Sequence, residues 1–173
     1  MDRAVFVLTG PSGAGKSTVA RLLAERFPRG VHLEGDVFRR SIVSGRREMT
    51  PDTPDEALEQ LRLRYRLAAS AADAYFDAGF AVALEDVIAG PMLPECLALI
   101  RSRPLHVVVL MPRREIVAAR EAARPTDGYE HWSLAALYDL FARETPRLGL
   151  WLDTSDQTPE ETVRALLEGT GST

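Results

Sequence analysis

The segment from Gly10 to Thr18 constrains the fold of this chain more than any other part of the sequence. It matches in full the Walker A pattern of loops that bind nucleotide phosphates, and it reads Gly10-Pro11-Ser12-Gly13-Ala14-Gly15-Lys16-Ser17-Thr18. An apolar run, Ala4 to Leu8, comes directly before the loop, and a helical pattern begins at Lys16. The plainer alternative is a glycine-rich turn with a solvated lysine, and the flanking strand and helix weigh against it.

The chemistry of this loop follows from its backbone. Glycines allow the chain to curl so that successive N–H groups converge on phosphate oxygens at a helix N-terminus, whose dipole favours anions. We expect the segment to bind ATP, with Lys16 between the β- and γ-phosphates and the Ser17 hydroxyl as a ligand of Mg²⁺. The motif indicates a nucleoside triphosphate but not the reaction, which has to be inferred from the ends of the other strands.

Short β-branched runs alternate with longer helical patterns along the chain, which is typical of a layered α/β protein with a parallel sheet. Strands are expected at residues 4–8, 31–33, 80–84, 105–111 and 148–152. Helices are expected at about 16–27, 38–43, 53–79, 91–101 and 113–123, then from 133, and at 159–167. No repeat or linker marks a second domain, so we expect residues 1–173 to form one domain.

Composition excludes several classes of protein. With 173 residues, 46% apolar and 27% charged, the chain is typical of one soluble domain rather than a disordered or membrane-embedded protein. The net charge of −4 and the lack of a basic stripe argue against a nucleic-acid partner. The single Cys96 cannot form an internal disulfide, and the N-terminal residues resemble neither a secretory leader nor a spanning helix, so a cytoplasmic location is expected. The oligomeric state is left open.

Acidic residues follow two predicted strands, at the edge where parallel sheets bind ligands. Asp36 is expected to bind the substrate, orienting an acceptor hydroxyl and taking its proton, or else to cap the following helix. Glu85 and Asp86 end a run like the Walker B motif, and because neighbouring strand residues point to opposite faces, we assign Glu85 to Mg²⁺ and Asp86 to the substrate. A helix cap or plain surface acids are the alternative for this pair. His32, inside the second strand, is interpreted as packed rather than catalytic.

Three arginines near the fourth strand are candidates for binding the transferred group. Arg113, Arg120 and Arg124 are spaced by seven and four residues, so they share one stripe of a helix. Arg124 adjoins residues 125–132, which have the composition of a lid. Arginines that close over a nucleotide neutralise charge on the transferred group, although a charged stripe is often only solvated and Glu121 could pair with Arg124.

A second group of arginines lies in residues 39–54, which we interpret as a flap over the acceptor. Arg39 and Arg40 are candidate substrate-binding residues, and Arg46 and Arg47 follow them in the same polar stretch. These four side chains could bind an anionic acceptor, or they could be ordinary surface residues of a mobile segment.

The order of these features resembles the small P-loop kinases of the adenylate-kinase-like class. The motifs that carry the resemblance are the Walker A loop, Gly35-Asp36, Glu85-Asp86 and Arg120-Glu121-Ala122-Ala123-Arg124. Within the class, the chain looks most like chloramphenicol phosphotransferase and the gluconate kinase and shikimate kinase relatives. The resemblance implies a three-layer fold, with helices on both faces of a parallel sheet in the order 2-3-1-4-5 and a small lid at about 124–133.

The resemblance also implies roles for particular residues. In such kinases an acid after the second strand activates a hydroxyl, which here is Asp36. The adenine is expected between a lid arginine, here Arg120, and the loop after the fifth strand, where we assign cofactor binding to Thr154, Ser155 and Gln157.

Together these features predict an ATP- and Mg²⁺-dependent O-phosphotransferase that acts on a small hydroxylated molecule such as an antibiotic or a sugar acid. Its catalytic residues are expected to be Lys16, Asp36, Arg120 and Arg124. The segment from Arg39 to Pro54 matches no one subfamily, which leaves the acceptor open. The alternatives are a nucleoside or nucleotide kinase, which would use the arginines of the flap, and a regulatory module that binds ATP without turnover.

Overall fold

The structure, a computed structural model, describes residues 2–50, 55–123 and 133–172. It contains a five-stranded parallel sheet in the order β2-β3-β1-β4-β5. The strands are β1 (Val5–Thr9), β2 (Gly30–Glu34), β3 (Ala81–Glu85), β4 (Leu105–Leu110) and β5 (Leu150–Leu152). Every predicted strand is present, and the strand order is the one that the resemblance implies.

Helices follow the strands along the chain. They are α1 (Lys16–Ala24), α2 (Asp36–Arg40), α3 (Asp55–Asp77), α4 (Met92–Leu99), α5 (Arg114–Ala122), α6 (Leu134–Asp139) and α7 (Pro159–Thr170). A π-helical turn, Leu140–Glu144, continues α6. Residues 51–54 of the expected flap and 124–132 of the expected lid lie outside the described residues. Within the described part, no helix is both long enough and apolar enough to cross a membrane.

The sheet is covered on both faces, as the three-layer prediction requires. Every residue of β1 is buried, which is typical of a central parallel strand. Phe6 and Leu8 belong to a core cluster that includes side chains of α1 and α7. Val5 and Val7 point to the opposite face and belong to a second cluster with side chains of α3 and α4.

Several helix ends differ from the expected ones by a few residues, and two of these differences have a clear local cause. α1 ends at Ala24 rather than near Phe27, because the N–H groups of Arg26 and Phe27 donate to carbonyls three residues back in a tighter turn. α2 begins at Asp36 rather than near Phe38, because the Gly35 carbonyl already accepts a hydrogen bond from the Phe38 N–H at 3.2 Å. The chain therefore turns into a helix directly after β2.

The register of the strands brings the candidate residues to one edge of the sheet. Leu8 of β1 and Glu34 of β2 both pair with Glu85 of β3. The Gly35 N–H donates to the Glu85 carbonyl at 2.9 Å. The loop after β1 and the acid after β2 therefore lie on either side of Glu85, with two strand spacings, about 10 Å, between their backbones.

Candidate active site

The loop between β1 and α1 is folded as the phosphate-binding motif requires. Gly15, directly before α1, adopts a left-handed conformation with a φ of 91°, which other residues rarely adopt. Lys16 is 8% exposed, and its Nζ donates to the carbonyl oxygens of Gly10 at 3.1 Å and Pro11 at 3.0 Å. The ammonium group thus lies against the loop at a helix N-terminus. Of the other predicted members of the loop, Ser12, Gly13 and Ala14 precede Gly15. Ser17 and Thr18 lie in the first turn of α1.

Ser17 and Glu85 come together beside this loop. The Ser17 hydroxyl donates to Glu85 Oε1 at 2.8 Å, and Glu85 is 5% exposed. Burial alone would raise the pKa of Glu85, but His32, Lys16 and the Ser17 hydroxyl together lower it below its usual value. The carboxylate is therefore held ionised at neutral pH. A hydroxyl and an ionised carboxylate are oxygen donors of the type that Mg²⁺ prefers, so this pair fits the expected metal.

The Ser17 and Glu85 pair would supply only part of a coordination sphere. Over residues 2–50, 55–123 and 133–172, no group of three or more His, Cys, Asp or Glu side chains is arranged to hold a metal ion. His32 Nε2 lies 3.8 Å from Glu85 Oε1 and has no hydrogen-bond partner in the described part of the chain. This histidine, interpreted from the sequence as packed, has a buried Nε2 that faces Glu85.

Asp36 lies among arginines at the start of α2. Its Oδ1 accepts a hydrogen bond from Arg39 Nε at 2.7 Å and lies 3.1 Å from Arg64 Nη1, while its Oδ2 lies 3.6 Å from Arg40 Nε. Burial would raise the pKa of Asp36, but these arginines lower it overall. Asp36 is the first helical residue, and no side chain caps the helix at Gly35, so the alternative role as a cap is not realised.

Arg64 of α3 links Asp36 to the end of β3. Arg64 and Asp86 are 5% and 3% exposed, and Arg64 donates to both carboxylate oxygens of Asp86, with 2.7 Å from Nε to Oδ2. Burial raises the pKa of Asp86, and the Arg64 guanidinium opposes that rise. A Cβ on Gly35 would lie 2.2 Å from Asp86 Oδ2, so only glycine fits there. The direct substrate contact expected of Asp86 is not available, because Arg64 and the main chain cover its carboxylate.

The described arginines of the flap are paired with carboxylates. Arg39 donates to Glu48 Oε1 at 2.8 Å and Oε2 at 2.9 Å in addition to Asp36, and Arg40 Nη2 lies 2.9 Å from Glu34 Oε2. The other two pairs, each at 2.9 Å, are Arg46 with Glu48 and Arg47 with Glu56. An anionic acceptor would have to displace a carboxylate to reach any of these guanidinium groups.

Helix α5 brings Arg120 to the phosphate-binding loop. Its Nη1 lies 3.9 Å from the position that a Cβ on Gly15 would occupy. The next residue, Glu121, accepts a hydrogen bond from Ser12 Oγ at 2.9 Å, so its carboxylate binds the loop, a contact that the expected pairing with Arg124 did not include. Arg124 itself lies outside the described residues. Of the two described arginines of the predicted stripe, Arg113 and Arg120, Arg120 is the one that lies at this loop.

The loop after β5 contains one polar group without a partner and several with structural contacts. Thr154 is 3% exposed, and within the described residues its hydroxyl has no hydrogen-bond partner. Ser155 Oγ accepts from the Arg113 N–H at 2.7 Å, and Gln157 Oε1 accepts from a threonine of α7 at 3.0 Å. Arg113 Nη1 pairs with Asp156 at 2.8 Å, so its guanidinium is bound to this loop. Three residues of this loop were predicted to bind the nucleotide. Among them, Thr154 is the one whose hydroxyl makes no hydrogen bond within the described residues.

A family model described as AAA domain (AAA_33) matches residues 5–146. The chain belongs to this family. The match extends from β1 to just before β5, so this AAA domain includes the phosphate-binding loop, the ends of β2 and β3, and Arg120.

Comparisons with individual proteins support the same fold. The chain is 29% identical over 170 residues to a cytidylate kinase from Aeropyrum pernix, and the alignment covers 94% of this chain and 96% of that kinase. A UPF0200 protein from the same organism is 38% identical over 61 residues, so the chain spans only 33% of that relative. A sugar kinase from Janibacter sp. HTCC2649 superposes with a TM-score of 0.71 at 22% identity, covering 98% and 95% of the two chains. A gluconokinase from Sinorhizobium meliloti 1021 superposes with a TM-score of 0.64 at 20% identity, and the match covers 98% of this chain and 92% of the gluconokinase. The predicted likeness to small P-loop kinases is confirmed.

Arg64 lies in the candidate active site of this AAA domain, and the sequence analysis did not predict it. It stands on the apolar face of α3, three residues after Leu61 and four before Ala68. An arginine at such a position has to be paired when the face is buried, because an isolated buried charge is costly. That interruption of the apolar stripe is the signal that could have found it, whereas the identity of its partner, Asp86, requires the fold.

Proposed function

We propose that this protein is an ATP-dependent kinase that transfers the γ-phosphoryl group to a hydroxyl of a small molecule. The observation that carries the proposal is the position of Asp36, held by Arg39 and Arg64 across Glu85 from the phosphate-binding loop. Transfer of a phosphoryl group needs a triphosphate and an acceptor on opposite sides of the reacting phosphorus. Lys16 on one side and Asp36 on the other meet that requirement.

On the nucleotide side, the loop amides and Lys16 would bind the β- and γ-phosphates. Ser17 and Glu85 would hold Mg²⁺, which when bound neutralises charge on the phosphate oxygens. Lys16 Nζ would exchange its carbonyl partners for phosphate oxygens, which are stronger acceptors because they are charged. Arg120 beside Gly15, and Arg124, would add positive charge as the site closes.

On the acceptor side, Asp36 would accept a hydrogen bond from the acceptor hydroxyl. Its lowered pKa makes it a weak base, so it is suited to orienting the hydroxyl and taking the proton late, as the bond to phosphorus forms. A loose transition state with little early deprotonation needs no stronger base. Asp36 Oδ2 lies 3.4 Å from Arg39 Nη2 and 3.6 Å from Arg40 Nε, longer than the 2.7 Å bond that Oδ1 accepts from Arg39, and it is the acceptor contact that we propose.

Transfer of labelled phosphate from γ-labelled ATP to a panel of hydroxylated metabolites and antibiotics tests the proposal. Lys16 is the only lysine in the sequence, so an acyl-phosphate analogue of ATP reports nucleotide binding by labelling that one side chain. We expect Lys16→Ala to lose both labelling and transfer. Arg21→Ala, which changes an exposed basic residue on the same helix, is the control and should keep both. Full transfer activity in Lys16→Ala would contradict the proposal.

A nucleotide kinase is the second candidate, and the 29% identity to a cytidylate kinase over nearly the whole chain favours it. The paired arginines of the flap weigh against it, because a nucleoside monophosphate brings a phosphate that needs cations. Including cytidine monophosphate in the acceptor panel separates the two candidates. Nucleotide binding without transfer to any member of the panel would instead support a regulatory module.

A further inference from the structure

A cleft opens between the flap and α3, beside Asp36. Its walls are mainly apolar and include Phe38, Ile42, Met49, Leu61, Leu63 and Leu67. The cleft volume is about 70 Å³, compared with the roughly 10 to 15 Å³ that a single water molecule requires. The cleft therefore has room for a ring or a short branched chain, while the rest of a ligand would lie outside it.

Two side chains that line the cleft also bind Asp36, the group proposed to receive the acceptor hydroxyl. They are Arg39 and Arg64, which contact the Asp36 carboxylate at 2.7 and 3.1 Å. A molecule with its apolar part in the cleft could therefore present a hydroxyl to Asp36 past these two side chains.

The charges around the cleft do not favour an anionic occupant. Its three lining arginines are bound to carboxylates: Arg39 to Asp36 and Glu48, Arg47 to Glu56, and Arg64 to Asp86 and Asp36. Arg40 also pairs with Asp36 and Glu34, and Arg46 with Glu48, so the five arginines of this region are balanced by five carboxylates. A carboxylate or phosphate entering here would lose water and meet no net positive charge to repay that cost.

The outer wall of the cleft exposes apolar side chains to solvent. Leu63 and Leu67 are 39% and 41% exposed, one helical turn apart on α3. Single exposed leucines are ordinary, but two at the mouth of an apolar cleft form a surface that a ligand can cover.

We infer that the phosphate acceptor is an uncharged alcohol with an apolar body that occupies this cleft, and not a sugar acid or a nucleotide. The inference rests on the proposed kinase activity, since it names the acceptor class of the same site. Burial of apolar area would supply the affinity, and Asp36 would select the hydroxyl.

The test combines binding with transfer, using benzyl alcohol, 2-phenylethanol and 3-phenylpropanol against glycerol, gluconate and cytidine monophosphate. Binding is measured by calorimetry with a non-hydrolysable ATP analogue bound, and transfer with γ-labelled ATP. We expect kcat/KM to rise about threefold to tenfold for each added methylene until the cleft is filled, and to exceed that for gluconate and cytidine monophosphate.

Leu67→Gln is the matched variant, because glutamine keeps the length and helix propensity of the side chain but not its apolar surface. We expect it to weaken binding of 3-phenylpropanol about tenfold. Leu99→Gln, on α4 and equally exposed at 42%, is the control and should change neither binding nor transfer. Melting temperatures of both variants separate a local effect from a loss of folding.

Each outcome bears on a different claim. Binding and transfer of the aromatic alcohols, both weakened by Leu67→Gln, support the inference. No binding of these alcohols, or preferred transfer to gluconate or cytidine monophosphate, overturns it while leaving a kinase. Binding of the alcohols that depends on Leu67 but gives no phosphorylated product contradicts the proposed function itself, and with it the role of the occupant as acceptor.

Discussion

The two sides of the candidate site are built in different ways. On the nucleotide side, a short continuous segment supplies most of the groups through the main chain, with Lys16 and Ser17 beside it, and Glu85 of β3 and Arg120 of α5 join it from elsewhere. On the acceptor side, the groups come from four separate parts of the chain: Asp36 and Arg39 from α2, Glu48 from the flap, Arg64 from α3, and Asp86 from the end of β3. A backbone cradle depends on local sequence, whereas an ion-pair network depends on the fold.

This difference has consequences for specificity. A backbone cradle binds any polyphosphate of the correct shape, so it tolerates changes in the rest of the ligand. A network of side chains can change one residue at a time without disturbing the sheet. The acceptor side is therefore where members of one fold can diverge in substrate, which agrees with the lack of a match between residues 39–54 and any one subfamily.

The largest expected effect that separates the two sides is that of Asp36→Asn. The amide cannot take the proton of the acceptor hydroxyl, so kcat should fall by about 10²- to 10⁴-fold. Labelling of Lys16 by the acyl-phosphate analogue should stay nearly unchanged, because the nucleotide side is intact. Rapid-quench measurement of transfer, together with the labelling assay, tests this. An equal loss of labelling and transfer would mean that the two sides are not separable.

Replacing Arg64 should affect stability as well as transfer. Arg64→Gln leaves Asp86 buried without its cation, and loss of one partner of a buried ion pair costs about 3 to 5 kcal/mol. Arg62→Gln, on the same helix, breaks a solvent-exposed pair with Glu95 and should cost far less, because water screens that pair. The free energies of unfolding from urea titration give both values. A loss for Arg64→Gln no larger than that for Arg62→Gln would contradict a structural role.

The double variant Arg64→Gln with Asp86→Asn distinguishes stability from positioning. It removes both charges, so much of the lost stability should return. Asp36 would still lack the Arg64 contact, and we expect transfer to stay low while labelling of Lys16 is normal. Recovery of transfer together with stability would mean that Arg64 acts only through the fold.

The sequence predicted the nucleotide side of the site better than the acceptor side. All five strands and the phosphate-binding loop were predicted, because buried parallel strands are continuous apolar runs and the loop is one local motif. The strand order was implied by the resemblance to small P-loop kinases. Ser17 and Glu85 were each assigned to Mg²⁺ from separate patterns, and the structure brings their side chains together. Arg64 was missed and Asp86 was assigned a direct contact, because their bond joins residues from α3 and β3 that no local pattern relates. His32 was interpreted as packed, and strand position alone did not predict that its Nε2 lies 3.8 Å from Glu85 Oε1.

The smallest expected effect concerns pH. The pKa of Asp36 is lowered in the folded protein, so its contacts with Arg39 and Arg64 contribute stability that is present above the usual aspartate pKa of 3.8. This contribution is lost as the pH falls through the folded-state pKa, because the protonated acid no longer attracts the guanidinium groups. Asp36→Asn lacks the titrating group and should lose less stability than the wild type when the pH is lowered from 7 to 3. Because Asp36 is part-exposed, the difference in free energy of unfolding should be under about 1 kcal/mol. Urea titrations of both proteins across this range measure it, and identical pH dependence would mean that water, rather than the arginines, balances the charge of Asp36.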